Sequence, residues 1–252
     1  MNLLSQLPQP VIFAHRGASA YAPENTLASF SLALKYGAPA IELDVKLTAD
    51  QQVIVIHDQT VNRTTDGQGD VRNLSLRQVK ELDAGIKKGE QFRGEPIPTL
   101  AEVFETVGKS LFINVELTNY ATGSDSLVDE VVKLVRHYQL EERVMFSSFN
   151  PLNLRRARKL LPQTPVGMLA MEGGAGLLAR GFVGRWASPK IIHPYLNDVD
   201  QGFMTHQKNL GRRVHVWTVN APEDMRKVFE LGVDGIFTDD PILALQILGK
   251  ND

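Results

Sequence analysis

Short apolar runs rich in Val and Ile recur along the chain, separated by amphipathic or Gly/Pro-marked stretches. This alternation is typical of parallel strands that are buried on both faces and connected by helices. A length of 252 residues is the usual size of a barrel of eight strand–helix units. We therefore predict an α/β fold with a single (β/α)8 barrel domain over residues 1–252. The strand candidates are Val11–Ala14, Ala40–Val45, Val53–His57, Leu111–Leu117, Val144–Ser148, Val166–Ala170, Ile191–Tyr195, Val214–Val219 and Gly235–Thr238. These are nine runs for eight places, so one of them is expected outside the barrel.

The alternation breaks between Thr60 and Leu100, where the chain is rich in Gly, Asp, Arg and Thr. This stretch contains one short helical pattern, at Leu76–Leu82. Connections of this length usually carry function or a small structure of their own. We predict an insertion at about 60–100, after the third strand.

The overall charge is close to neutral, with a formal net charge of −2. It offers no field that would favour nucleic acid or an anionic membrane, so neither is an expected partner. The chain has no cysteine, which excludes disulfides, thiolate metal ligands and a cysteine nucleophile. Its first residues lack the basic and apolar regions of a signal peptide, and no stretch approaches the roughly 20 apolar residues of a membrane span. We expect a cytoplasmic protein without stable membrane association.

The first predicted strand runs directly into His15 and Arg16, and Gly17 then permits a tight turn. A titratable imidazole and a guanidinium therefore leave the sheet side by side. Active sites of barrels are assembled at the carboxyl ends of their strands. The alternative is a structural role, in which His15 caps the strand and Arg16 pairs with a nearby acid.

The second predicted strand carries two carboxylates on one face. Alternation directs Glu42 and Asp44 to the same side, while Ile41, Leu43 and Val45 face the other. Two acids inside a barrel need a cation, because unpaired buried charges of like sign are costly. Carboxylate oxygens suit Mg²⁺ or Ca²⁺, whereas zinc more often binds His or Cys. One divalent ion is expected, and a metal-free hydrogen-bonded network is the alternative.

Two further runs add polar groups at their ends. His57 closes the third run, and only seven residues separate that run from the second strand, so the chain must return in extended form rather than through a helix. In the fourth run, Asn114 and Glu116 share a face by alternation. Three acids, two histidines and an arginine thus meet at strand ends.

This set of residues resembles the glycerophosphodiester phosphodiesterase family, a branch of the phospholipase-C-like phosphodiesterase TIM barrels. The similarity runs in family order from about residue 11 to residue 241. The matching motifs are His15-Arg16-Gly17, Pro23-Glu24-Asn25-Thr26, Glu42-x-Asp44-Val45, Leu47-Thr48, His57-Asp58, Arg63-Thr64-Thr65-x-Gly67-x-Gly69, Leu82-Asp83-x-Gly85, Gly94-Glu95-x-Ile97-Pro98-Thr99-Leu100, Asn114-x-Glu116, Ser147-Ser148-Phe149, Trp217-Thr218-Val219-Asn220 and Gly232-Val233-Asp234-Gly235-Ile236-x-Thr238-Asp239.

The resemblance implies a metal-dependent phosphoric diester hydrolase on a TIM-type barrel, acting in glycerol or lipid metabolism. It would cleave small glycerophosphodiesters to sn-glycerol 3-phosphate and an alcohol. The implied roles are Glu42, Asp44 and Glu116 as metal ligands, His15 and His57 as general acid and base, and Arg16 as a phosphate ligand. Which histidine is the acid stays open, as does the choice between attack by the glycerol 2-hydroxyl and direct attack by water. The insertion matches a small subdomain that covers the mouth of the site.

One position departs from the family pattern. Many relatives have a lysine two residues after the third metal carboxylate, whereas this chain has Thr118. Threonine keeps a hydroxyl donor and lacks the positive charge, so charge neutralisation would depend more on Arg16 and the metal. We expect Thr118 to contact the substrate. Phe149 and Trp217 are further candidates for substrate contact, although buried aromatic side chains more often belong to the core.

Three other functions stay open. A lysophospholipase D-like or phospholipase-C-like lipid hydrolase would need an apolar groove or a membrane-facing loop, which only residues 171–186 could offer. A catalytically silent barrel that binds glycerophosphodiesters would be favoured by loss of a metal carboxylate or a histidine, yet all five residues are present. A metal-dependent aldolase or isomerase is disfavoured by the His15-Arg16 pair and by the absence of lysine near Glu116.

Overall fold

The computed structural model describes residues 2–120 and 124–249, and within these ranges it contains nine β-strands and ten α-helices. The strands are β1 (Val11–Ala14), β2 (Ala40–Leu47), β3 (Val53–Val55), β4 (Phe112–Leu117), β5 (Val144–Ser148), β6 (Val166–Ala170), β7 (Ile191–Pro194), β8 (Arg213–Val216) and β9 (Gly235–Thr238). The helices are α1 (Leu27–Lys35), α2 (Leu76–Lys80), α3 (Leu100–Val107), α4 (Leu127–His137), α5 (Pro151–Leu160), α6 (Leu177–Arg180), α7 (Phe182–Ala187), α8 (Gln201–Asn209), α9 (Pro222–Glu230) and α10 (Pro241–Leu248). None of these helices is both long and apolar enough to cross a membrane.

Eight strands close into a parallel barrel in the described part of the chain. The order around the barrel is β1, β2, β4, β5, β6, β7, β8 and β9, and β9 returns to pair with β1. This arrangement confirms the predicted (β/α)8 fold. All carboxyl ends of the barrel strands lie at the same end, so the segments that follow them share one mouth.

The strand outside the barrel is β3. It pairs antiparallel with β2, with Val55 opposite Val45 and Val53 opposite Leu47. A parallel return would need a crossover of a dozen or more residues, which the short connection between β2 and β3 does not provide. The predicted extended return is confirmed, but the third strand of the barrel is β4 rather than the run that ends at His57.

The insertion has a small hydrophobic core of its own. Side chains of β3 and of the segment up to residue 97 form this cluster, which contains Ile54, Ile56, Val61, Val71, Val79, Ala84 and Ile97. The Asp83 carboxylate accepts hydrogen bonds from the backbone N–H groups of Gly85, Ile86 and Gly94. The segment is therefore held in a defined conformation next to the barrel mouth.

Alternation along β2 separates two packing layers. Ile41, Leu43 and Val45 are fully buried in one cluster with Phe30 of α1 and Leu100 of α3, which places them between the barrel and its helices. The residues between them, including Glu42 and Asp44, consequently face the barrel interior. The sequence pattern predicted this division.

Aromatic rings fill much of the barrel interior. The rings of Phe13 and Phe237 stack with centroids 4.8 Å apart. His193 and His215 lie beside them, fully buried, with ring centroids 5.2 Å apart. Burial lowers the pKa of both histidines, His193 to about 3, so both are neutral and pack as aromatic rings.

A methyl group added at Gly167 in β6 would have no room in this interior. A Cβ atom there would lie 2.3 Å from His193 Nε2. We expect Gly167→Ala to lower the free energy of unfolding by about 1–3 kcal/mol, the usual cost of overpacking a core. Gly174→Ala is the matched control, because nothing lies within 4 Å of a Cβ atom at that position. Urea denaturation measures both variants, and equal unfolding midpoints would contradict this account of the interior.

Candidate active site

One cavity opens at the carboxyl ends of the barrel strands. Its lining residues lie at or just after the carboxyl ends of most barrel strands and of β3. They are His15, Arg16, Glu42, His57, Asn114, Glu116, Phe149, Leu169, Trp217, Thr218 and Phe237. The cavity therefore collects both histidines, the arginine and two of the three carboxylates that the sequence analysis identified. The third carboxylate, Asp44, is buried next to them.

A tight turn after β1 directs His15 and Arg16 into the cavity. Arg16 and Gly17 adopt left-handed backbone conformations, with φ of 57° and 83°. Glycine is required at position 17, because a Cβ atom there would lie 2.3 Å from Ser29 Oγ in α1. The backbone N–H of Arg16 donates to Glu42 Oε2 at 3.0 Å, so the turn is anchored on a carboxylate of the next barrel strand.

The strand register brings the three carboxylates together. Glu42 and Asp44 of β2 lie opposite Asn114 and Glu116 of β4. One carboxylate oxygen from each of Glu42, Asp44 and Glu116 lies within 4.8 Å of the others. Burial and repulsion from Asp44 raise the pKa of Glu116 to about 8, and the same causes, with Glu116 added, raise the pKa of Glu42 well above its usual value. Neighbouring positive charges thus do not fully balance the negative charges of the triad.

Two oxygens of this site are available to a cation. Glu42 Oε1 and Asn114 Oδ1 are buried and have no hydrogen-bond partner among residues 2–120 and 124–249. Buried polar atoms normally have partners, so these two point to a ligand. A set made only of oxygen donors fits a hard divalent cation such as Mg²⁺ or Ca²⁺.

The Arg16 side chain lies over the same carboxylates. Its Nη1 donates to Glu24 Oε1 at 2.8 Å, and its Nε lies 3.3 Å from Asp44 Oδ2. Burial alone would lower the pKa of Arg16, but Asp44, Glu24 and Glu42 outweigh it and raise the pKa. The guanidinium stays charged and partly exposed at the cavity wall, where it can meet an anion.

Each of the two histidines is paired with an acid. His15 Nδ1 lies 2.6 Å from Asp239 Oδ1, and His57 Nδ1 lies 2.7 Å from Asp58 Oδ1. A carboxylate at Nδ1 fixes the orientation of an imidazole and favours a proton on that nitrogen. Because the carboxylates occupy both Nδ1 atoms, Nε2 of each ring remains for proton exchange in the cavity.

An arginine of the insertion connects it to the barrel. Arg63 Nε donates to Asp58 Oδ2 at 2.7 Å, and Arg63 Nη1 donates to Glu24 Oε2 at 2.7 Å. Burial would raise the pKa of Glu24, but Arg63 and Arg16 outweigh it and lower the pKa to about 2. Glu24 therefore remains ionised and bridges the two arginines, which joins the insertion to Arg16 at the cavity wall.

Several of these partners were missed by the sequence reasoning. Glu24, Asn25, Asp58, Arg63 and Asp239 all stood in motifs that matched the family, but the motifs alone gave no roles for them. Asn25 lies in a left-handed conformation, and its Nδ2 donates to Asp44 Oδ2 at 2.9 Å. The sequence signal for these five residues was their place in a matched motif. The spacing of residues along the chain does not show which side chains contact each other.

Phe149 and Trp217 form an aromatic side of the cavity. Their ring centroids are 5.5 Å apart in an edge-to-face arrangement. Trp217 Nε1 donates to the carbonyl oxygen of His193 at 2.8 Å, which fixes the indole. Tyr120 packs on Phe149 at 5.7 Å and donates its hydroxyl to Glu116 Oε1 at 2.6 Å. The aromatic side is thereby linked to the carboxylate triad.

Thr118, which we expect to contact the substrate, is not among the residues that line this cavity. The side chain is buried, and its hydroxyl donates to the carbonyl oxygen of Val45 at 2.8 Å. The Lys46 ammonium donates to Thr118 Oγ1 at 2.9 Å and to Thr118 O at 2.8 Å. Residues two apart along a strand share a face, so Lys46 lies on the same face of β2 as Glu42 and Asp44. A positive charge is thus present beside Thr118, but β2 supplies it.

The chain is similar throughout to known phosphodiesterases. The model of the glycerophosphoryl diester phosphodiesterase family matches residues 15–243. A glycerophosphodiester phosphodiesterase of Caldanaerobacter subterraneus subsp. tengcongensis is 40% identical over 241 residues, which cover 95% of this chain and 98% of that protein. A glycerophosphodiester phosphodiesterase of Bacillus altitudinis is 34% identical, with 94% of this chain and 97% of that protein covered.

Solved structures show the same fold. A phosphodiesterase of Oleispira antarctica, in complex with the product sn-glycerol-3-phosphate, is 30% identical and superposes with a TM-score of 0.87 over 99% of this chain and 100% of that chain. A glycerophosphodiester phosphodiesterase of Thermotoga maritima is 28% identical, with a TM-score of 0.75 over 94% of this chain and 97% of that chain.

The raised pKa of Glu116 predicts how the metal-free protein responds to pH. Between the usual value of 4.5 and the folded value of about 8, the folded state binds a proton that the unfolded state releases. Stability should therefore fall as pH rises through this window. Thermal unfolding in chelator measures the effect, and Glu116→Gln should flatten the curve. Parallel curves for the two proteins across this window would contradict the repulsion described here.

Proposed function

Since the chain belongs to the glycerophosphoryl diester phosphodiesterase family and is thus a phosphoric diester hydrolase, we propose that it hydrolyses small glycerophosphodiesters to sn-glycerol 3-phosphate and an alcohol. The product bound to the Oleispira antarctica relative supports the glycerol phosphate half of this substrate. The observation that carries the proposal is the meeting of an acid triad, an arginine and two carboxylate-paired histidines at one cavity. In this proposal all parts belong to one domain over residues 1–252, with the insertion at about 60–100.

Glu42, Asp44 and Glu116 would hold one divalent ion, Mg²⁺ or Ca²⁺. Their mutual repulsion and the unpartnered oxygen of Glu42 support this assignment. When bound, such an ion supplies a Lewis acid that polarises the phosphate and neutralises part of its charge. The triad would fix the position of that ion relative to Arg16 and the two histidines.

Arg16 would bind the phosphate of the substrate. Its guanidinium is permanently charged, and Glu24 and Asp44 hold it in place from behind. Fixed donors of this kind stabilise an anion without reorganisation at the moment of reaction. The turn at Arg16 and Gly17 ties this donor to Glu42, so the phosphate ligand and the metal ligands cannot shift independently.

His15 and His57 would serve as the acid–base pair. One imidazole accepts the proton of the attacking hydroxyl, and the other donates a proton to the leaving alkoxide oxygen. Asp239 and Asp58 support these roles because a carboxylate at Nδ1 stabilises the imidazolium that forms. The same pair serves whether the glycerol 2-hydroxyl or a water molecule attacks phosphorus.

Phe149 and Trp217 would contact the carbon atoms of the substrate. Both residues line the cavity, where their rings can pack on glycerol or on the leaving alcohol. Thr118 would act indirectly, by holding Lys46 beside Asp44 and Glu116, rather than by binding phosphate. The cytoplasm is the proposed location.

Removal of divalent metal should abolish hydrolysis. Glu42→Ala, Asp44→Ala and Glu116→Ala should do the same, because the remaining carboxylates would repel each other and could not organise the phosphate. The assay uses metal-stripped protein, a panel of glycerophosphodiesters and lysolipids, and separate addition of Mg²⁺ and Ca²⁺. Glu230→Ala, an exposed carboxylate on α9, is the matched control. Turnover retained in strong chelator would overturn the metal-dependent mechanism.

Loss of either proposed acid–base residue should slow the chemical step without unfolding the protein. We expect His15→Ala and His57→Ala each to lower kcat by at least about 10², the usual scale of lost acid–base catalysis. The rate of the wild type should fall on both sides of a pH optimum, because one group must be deprotonated and the other protonated. His206→Ala on the exposed face of α8 controls for the substitution itself. Near wild-type turnover at an unchanged Tm would make the altered histidine structural.

A further inference from the structure

An apolar face lies uncovered on the two short helices that follow β6. Leu178 is 72% exposed and Phe182 is 78% exposed, and Leu177 and Trp186 are also exposed. Leu177 and Leu178 lie on α6, and Phe182 and Trp186 lie on α7, which begins after the helix break at Gly181. Large apolar side chains that are exposed together usually mark a surface of interaction. We refer to Leu177, Leu178, Phe182 and Trp186 as the apolar face.

Basic residues surround the apolar face. Arg155 of α5 stacks on Trp186, with its guanidinium carbon 4.1 Å from the ring centroid. Lys159, one turn along α5, and Arg185, beside Trp186, are both exposed. Residues 151–190 contain seven Lys or Arg and one acidic residue, and two of these cations, Arg156 and Arg180, are paired with Asp129 and Asp198. Arg155, Lys159 and Arg185 therefore give a local positive charge that the near-neutral total charge does not show.

The apolar face lies close along the chain to two residues of the cavity wall. Phe149 lines the cavity just before α5, and Leu169 of β6 lines it just before α6. Leu152 and Met171, which lie only a few residues farther along in each unit, are 61% and 55% exposed. Exposed apolar side chains thus begin close to the rim of the cavity and continue onto α6.

We propose that the apolar face docks onto anionic lipid bilayers. Leu, Phe and Trp side chains suit the boundary between headgroups and acyl chains, and flanking Lys and Arg are attracted to anionic headgroups. A second copy of this chain is a poorer partner, because a two-fold dimer through this face would place Arg155, Lys159 and Arg185 of both copies in one interface, where like charges repel. The overall charge alone gave the opposite expectation, since it averages over the basic surface.

Binding to vesicles tests this proposal. The full-length protein should sediment with vesicles of phosphatidylcholine and phosphatidylglycerol and should remain in solution with phosphatidylcholine alone. Phe182→Ser should weaken binding by at least about tenfold, because it removes an aromatic side chain that docking would bury in the bilayer. Arg185→Gln should weaken it by about fivefold, and added salt should weaken wild-type binding. Tyr36→Ser is the matched control, because Tyr36 is another exposed ring beside a cation, Lys35, on α1.

Three outcomes would overturn the proposal. These are no binding to anionic vesicles, equal binding to the two kinds of vesicle, and equal loss of binding in Phe182→Ser and Tyr36→Ser. A dimer that dissociates in Phe182→Ser would instead make the apolar face a contact between copies. Hydrolysis of a water-soluble glycerophosphodiester should be unchanged in Phe182→Ser and in Tyr36→Ser. Because that assay contains no lipid, a failure of the proposed hydrolysis is distinguishable from a failure of docking.

Discussion

The repulsion among three carboxylates that lie side by side is the constraint on which the rest of the site depends. Parallel pairing of β2 with β4 places Glu42, Asp44 and Glu116 together, and Glu42 and Asp44 are buried. Buried charges of one sign are tolerated only when opposite charge and hydrogen bonds surround them. Arg16 from the turn after β1 and Lys46 at the end of β2 supply part of that charge. A divalent ion would supply the remainder, and this charge balance supports the proposed metal requirement.

The same electrostatic demand explains why the insertion belongs to the site. The Arg16 guanidinium contacts the carboxylates of both Glu24 and Asp44, and Glu24 in turn accepts a hydrogen bond from Arg63 of the insertion. Arg63 also holds Asp58, which orients His57. These contacts connect the carboxylate triad to His57, which follows β3 and so does not belong to a barrel strand. A change in the insertion is therefore expected to alter catalysis as well as stability.

Local patterns predicted the elements, but side-chain partners required the structure. Alternation in β2 and the residues at the ends of β1 and β4 identified the triad, His15 and Arg16, because period-two spacing reports which face a residue occupies. It could not show that β3 lies outside the barrel, since apolar runs look alike in barrel and hairpin. The pairing of His15 with Asp239 spans 224 positions, and the contact of Lys46 with Thr118 joins β2 to the end of β4 across 72 positions. Exposure of Phe182 likewise depends on what packs around it.

The most direct test of this account is to locate the metal. Crystals grown with Mn²⁺, which scatters anomalously and takes oxygen ligands, should show an anomalous peak among Glu42, Asp44 and Glu116. The account predicts oxygens of all three carboxylates at roughly 2.0–2.6 Å from the peak, and Arg16 turned towards any bound phosphate. A fully occupied peak elsewhere in the cavity, or a triad that stays metal-free at saturating Mn²⁺, would contradict it.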